Sequence, residues 1–215
     1  MPYVCLLLSG AALLVNGLAI LGHLPRRDAA VLGLVVGTVQ LALGAVVLSL
    51  GGAAGAAPTA AGILLFGLTY TYGGLDTLLD LGSKGLGWFC GMVAFVAVLL
   101  AFFWLHADPL LAVLWLAWAV LWGFMFASLA LGRSGLDHFM GWALVLASQV
   151  TATVPAFLGM AGLWPHSAQV AAGAAGLLGL LFLAAGVLAR RRTAGEWRAA
   201  DKPGTLAALP RDARR

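Results

Sequence analysis

The stretch LLAVLWLAWAVLWGFMFASLAL, residues 110–131, contains no charged side chain. A run of roughly 20 predominantly apolar residues is what a helix needs to cross the hydrocarbon core of a bilayer. Working outward, six further runs have the same character: Tyr3 to Gly22, Ala29 to Leu50, Ala60 to Leu79, Gly87 to Leu105, Phe139 to Leu163 and Ala168 to Ala189. With Leu110 to Leu131 they predict an all-α polytopic membrane protein of seven spans. The connections are short, and lipid forces each segment to satisfy its backbone within its own helix, so neighbours are expected to run antiparallel.

Composition agrees. Of 215 residues, 62% are hydrophobic and only 9% charged, where a soluble domain carries roughly 25% charged residues. The length suits one helical bundle. Cys5 and Cys90 both lie in apolar runs and offer neither a disulfide framework nor a metal-ligand spacing. The start, MPYVCLLLSG, has no basic segment ahead of its apolar run, so that run is expected to persist as a helix and not be cleaved as a signal peptide.

Orientation follows from the basic residues. Arg26 and Arg27 lie between runs one and two, Lys84 between three and four, and Arg133 between five and six; the other eight lie from Arg190 to Arg215. The remaining connections, at Gly51–Thr59, His106–Pro109 and Trp164–Ser167, hold none, so all 12 fall on one side. The positive-inside rule makes that side the cytoplasm and places the N-terminus outside, in a multi-pass protein of the plasma (inner) membrane. The tail after Arg190 shifts to a basic, Pro/Gly/Ala-rich composition. It reads as a largely disordered anchor against anionic lipid. Gly33 and Gly37 make a GxxxG step in the second run, and Gly173, Gly176 and Gly179 line part of the seventh. Such residues let helices pack closely, within the bundle or between subunits.

Catalysis is not expected. The chain has no P-loop, HExxH or CxxC and no Ser/His/Asp set at membrane depth, and its four histidines (His23, His106, His138, His166) sit at run ends. No metal, cofactor or nucleic-acid partner is expected. The only lysines, Lys84 and Lys202, lie in a loop and in the tail, which leaves no Schiff-base lysine for retinal.

The informative feature is Trp115-Leu-Ala-Trp118-Ala-Val-Leu-Trp122. Positions i, i+3 and i+7 of a helix lie within roughly 60° of one another, so three indoles share one face. Membrane tryptophans usually sit in the interfacial belts, which does not explain a stripe at mid-depth. Two readings remain open: aromatic core packing, or an apolar slit for a small neutral polar solute. Phe66 and Tyr70 add a second aromatic pair; Thr69, Thr71, Tyr72, Gln149, Thr151, Thr153 and Asn16 add hydrogen-bonding groups, and Pro155 a kink. Aromatic faces with sparse polar groups suit a flat, uncharged, strongly hydrogen-bonding solute and exclude hydrated ions. Asp76 is the exceptional intramembrane carboxylate, expected at the inner surface or lining the inner mouth. It is the one group on which an ion-coupled transporter could be built. A structural or signalling protein without a pore is the other alternative.

At LLFGLTYTY (Leu64–Tyr72), WLAWAVLW (Trp115–Trp122), SGAALLVNG ending at Asn16–Gly17, and Thr151 with Pro155–Ala156, the chain resembles the AmiS/UreI family of urea channels and short-chain amide transporters. The resemblance covers about residues 1–165. It implies a six-helix pore-forming bundle of three two-helix hairpins, with a pore for urea or a small amide in each protomer. It also implies a homohexameric ring with membrane lipid filling its centre. Residues 166–190 then form an extra seventh helix and 191–215 the tail. Matched by position, Phe66, Tyr70, Trp118, Leu121 and Trp122 fall on the family's constrictions, and Leu6, Leu13 and Asn16 on its first helix. With Trp115 and Thr151 these are the expected path residues. Two departures stand out. The loop Gly51–Thr59 lacks the histidines of the acid-gated urea channel, and Ser128 and Ala147 stand where an ungapped reading puts that channel's glutamates. The expectation is a passive facilitator without acid gating.

Overall fold

The computed structural model describes residues 2–50 and 55–200, the side chains of residues 192–200 excepted. Its helices stop where chemistry requires. Pro25, extended at ψ 137°, precedes α2 (Arg26–Ser49). Asp108 and Pro109 start α5 (Pro109–Leu129), the proline at the first helical position where its missing N–H costs nothing. α1 is Pro2–Ile20, α3 is Ala56–Leu79 and α4 is Lys84–Trp104. Between α3 and α4 the chain turns through Asp80, Gly82 and Ser83, all left-handed (φ 53°, 89° and 59°). Asp76 closes this turn: its carboxylate accepts the Ser83 N–H (3.0 Å) and the Ser83 hydroxyl.

α2 and α3 have 24 residues each, about 36 Å at 1.5 Å per residue, enough to cross a core of roughly 30 Å. Length and composition qualify six spans for a membrane, counting Ser134–Met160 as one. The seventh, α3, is as long as α2 but carries Thr59, Thr69, Tyr70, Thr71, Tyr72, Asp76 and Thr77, which lower its hydropathy. Five of these, Thr59, Thr69, Tyr70, Asp76 and Thr77, line the cavities described below.

Two corrections follow. The sixth span, expected as one helix from Phe139 to Leu163, is α6 (Asp137–Ala147), a π segment (Ser148–Thr153) and α7 (Val154–Met160). Pro155 cannot donate a backbone hydrogen bond. The wide turn just before it lets neighbouring groups find other partners, as when Thr153 Oγ1 donates to the Ser148 carbonyl (3.2 Å). The last helix, α8 (Ala168–Ala200), passes the expected end at Ala189. The segment 191–200 of the tail is therefore helical where disorder was expected; residues 201–215 and the loop residues 51–54 lie outside the described residues. The tight pairs are α2 with α3, α4 with α5, and α1 with the broken sixth span.

Glycine explains the first pair. A Cβ on Gly37 would lie 2.7 Å from the Gly67 carbonyl oxygen and from the Thr71 nitrogen, so α2 and α3 meet backbone to backbone. Gly173, Gly176 and Gly179 behave differently: nothing among the described residues lies within 4 Å of a Cβ placed there. α8 leans on α6 and α5 along a narrow seam of Ala171, Leu178 and Ala185, spaced seven residues apart and buried, with Phe182 packed against the core beside it. Cys5 and Cys90 are free and buried, as expected of small packing residues. No strand occurs among the described residues.

Candidate functional site

The site begins with how α5 is held. Asp108 caps it, Oδ1 accepting the Leu111 N–H at 3.0 Å, while Oδ2 accepts the Trp164 indole N–H at 2.8 Å. One carboxylate thus ties the α4–α5 turn to the connection before α8, and the Trp164 ring rests 5.5 Å from that of Tyr3. Asp108→Ala should cost about 2 kcal/mol, a helix cap plus a charge-assisted hydrogen bond. A lower melting temperature in detergent and faster amide exchange in the first turn of α5 would register it; unchanged exchange there would contradict the role.

From this start, Trp115, Trp118 and Trp122 point inward and are all buried. Gly62 on α3 makes room for the first: a Cβ there would sit 2.6 Å from the Trp115 ring. Phe66 is the hub. Its ring centroid lies 6.0 Å from Trp115, 5.0 Å from Trp118, 4.6 Å from Trp122 and 6.0 Å from Tyr70. Trp115 and Trp118 meet edge to face at 5.0 Å and 89°, a favoured aromatic geometry.

On either side of this cluster lies a cavity. One, named outer after the orientation expected from the basic residues, is about 260 Å³ and is walled by Leu6, Ser9, Gln40, Trp104, Trp115 and Trp164 among others. The inner one, about 250 Å³, is walled by Leu13, Asn16, Tyr70, Asp76, Leu121 and Trp122 among others. Phe66 and Trp118 line both, and are the wall residues the two cavities have in common. The inner cavity reaches the turns that carry Arg26, Ser83 and Asp137; the outer reaches Pro2, Pro58 and Asp108 at the opposite chain ends. Carboxylates therefore stand near both mouths, and the aromatic partition between them bears no charge.

All but one of the path residues expected from sequence line one of these cavities. The exception is Thr151, fully buried behind the stripe and in neither wall. Its Oγ1 accepts the Trp118 indole N–H (3.1 Å) and donates to the Ala147 carbonyl (2.7 Å). It is a positioning residue, and the π segment presents it. Asp76 lines the inner cavity with both carboxylate oxygens committed to Ser83. Ser128 also lines it, donating to Asp137 at 2.7 Å, whereas Ala147 is buried.

Gln40 is the group that sequence reasoning missed. It is fully buried and lines the outer cavity. Its Nε2 donates to the Cys5 carbonyl and to Ser9 Oγ, both at 2.8 Å. A lone amide in an otherwise apolar span was the available signal.

Comparison with known proteins matches this architecture. Residues 1–163 fit the model of the AmiS/UreI family transporters. A putative transporter protein AmiS2 of Rhodococcus erythropolis is 45% identical over 197 residues, covering 90% of this chain and 96% of that one. A putative amidate substrates transporter protein of Mycolicibacterium smegmatis is 37% identical over 210 residues, covering 94% and 96%. The cryo-electron-microscopy structure of the Helicobacter pylori urea channel in a closed state superposes with a TM-score of 0.69 at 27% identity, over 77% of this chain and all of that one. The crystal structure of that channel gives a TM-score of 0.67.

Proposed function

The chain belongs to the AmiS/UreI family of transporters, and from that premise we propose that it is a passive facilitator for urea or short-chain aliphatic amides, one conduit per protomer. It is a multi-pass membrane transport protein and not an enzyme. The observation that carries the proposal is the pair of cavities reaching opposite ends of the bundle and separated by Phe66 and Trp118. A solute enters one chamber, passes as those two rings swing aside, and leaves through the other. Neutral ring faces reject hydrated ions, because nothing in the partition replaces an ion's water shell. Urea and amides carry no charge, so they need only a few hydrogen bonds in exchange. The one-sided basic residues support an external N-terminus in the plasma membrane. The open glycine face of α8 suits assembly into a ring, a hexamer with central lipid by family resemblance.

Stopped-flow light scattering on proteoliposomes tests the reading. Under a urea or acetamide gradient, folded protein should raise permeability well above that of empty vesicles; no protein-dependent flux of either would end it. Flux should also be flat from about pH 8 to about pH 5, the window in which an imidazole titrates. Among the described residues, the titratable side chains lining the cavities are Arg26, Asp76, Asp108, Asp137, Tyr3, Cys5 and Tyr70, with no histidine among them. A steep rise in flux on acidification would overturn this part of the proposal.

A further inference from the structure

We propose that Gln40 is a solute-selecting residue: its side-chain carbonyl accepts an N–H from the solute in the outer cavity, immediately before the aromatic partition. This rests on the reading of the two cavities as a conduit. Gln40 is 0% exposed, and a buried amide is costly unless its groups are paired. Its nitrogen is paired twice, to the Cys5 carbonyl and Ser9 Oγ on α1. A carbonyl oxygen can only accept, so the end of the amide facing Cys5 must be the nitrogen, which fixes the identity of the other end. That other end, Oε1, has no hydrogen-bond partner.

The unpaired acceptor belongs to a wall residue of the outer cavity, whose lining also includes Leu6, Ile63, Phe66, Trp115 and Trp118. One other buried polar atom among the described residues is similarly unpaired, Thr71 Oγ1, but Thr71 lines neither cavity. Within this chamber the Trp118 N–H is already taken by Thr151, and the Asp108 carboxylate already holds Leu111 and Trp164. Gln40 has no surface open to the cavity at rest, so a small solute arriving with an NH2 group reaches its empty acceptor only as the wall side chains part for it. The pair of bonds to α1 keeps that acceptor from turning away. The chemistry read is the N–H donor, so primary amides and ureas are favoured over solutes of similar polarity that have none.

The test compares formamide, N-methylformamide and N,N-dimethylformamide, which carry two, one and no N–H groups, in proteoliposomes of the wild type and of Gln40→Met. In the wild type, protein-dependent flux should fall along the series. Gln40→Met keeps the side-chain length and removes the acceptor, together with the N–H bonds to Cys5 and Ser9. It should lower formamide flux about tenfold, the worth of one hydrogen bond, and leave dimethylformamide flux as it was. Dimethylformamide passing the wild type as fast as formamide would overturn the proposal whatever the variant does, even if the variant does not fold. So would a folded variant that loses both solutes equally, since that is a structural effect. A wild type with no flux of urea, acetamide or formamide instead rejects the conduit itself.

Discussion

Phe66→Ala should merge the two chambers and abolish the size limit on what crosses. Phe66 touches Tyr70, Trp115, Trp118 and Trp122 at once, and no other side chain in the partition meets so many rings. Removing it leaves a void between cavities of about 260 and 250 Å³. Truncating a buried phenylalanine costs about 3–5 kcal/mol, so the variant should melt earlier in detergent. The refolded protein should nevertheless admit longer amides such as butyramide, with their permeability raised tenfold or more relative to acetamide. An unchanged preference for the smaller solute would mean that the partition lies elsewhere.

Gly37→Val carries the largest expected cost to the fold. Besides the Thr71 hydroxyl, the new Cβ would meet backbone: the Gly67 oxygen and the Thr71 nitrogen, each at 2.7 Å. Neither atom can step aside without moving α3, and α3 carries Phe66 and Tyr70. Overpacking of this kind costs about 3 kcal/mol and sometimes more, here with direct displacement of the aromatic hub. The measurements are the yield of monodisperse protein and the melting temperature, with flux as the functional readout. Gly173→Ala is the control. Nothing among the described residues lies within 4 Å of its new Cβ, and alanine favours a helix over glycine by about 1 kcal/mol. A variant at Gly37 as stable as that control would refute the backbone-to-backbone packing.

The spans were legible because a bilayer leaves the chain little choice: Leu110 to Leu131 and its counterparts could hardly be anything but helices. The indole stripe was legible because helical periodicity alone aligns Trp115, Trp118 and Trp122. Which side of the stripe a neighbour occupies is a tertiary fact, and there periodicity fails. Thr151 sits behind Trp118 instead of beside a cavity for that reason. The π segment was hidden because Ser148 to Thr153 continues an ordinary helical pattern, and only Pro155 hints at disturbance. The helix beyond Ala189 was hidden because a basic composition describes solvation and says little about backbone shape. Gln40 was overlooked because its partners, Cys5 and Ser9, lie 35 and 31 positions away in the chain. Nothing local in α2 announces that its amide is half used.

The narrow seam of α8 bears on how such a chain can change over generations. Ala171, Leu178 and Ala185 form a narrow line of contact with the rest of the bundle, and the family match ends at residue 163, before α8 begins. A helix fastened this way can be removed without repacking the aromatic partition. Its presence also sets parity. An even number of crossings leaves both termini in one compartment, and an odd number separates them. In the seven-span topology proposed above, the same helix places the basic segment that follows it on the side opposite the start of α1.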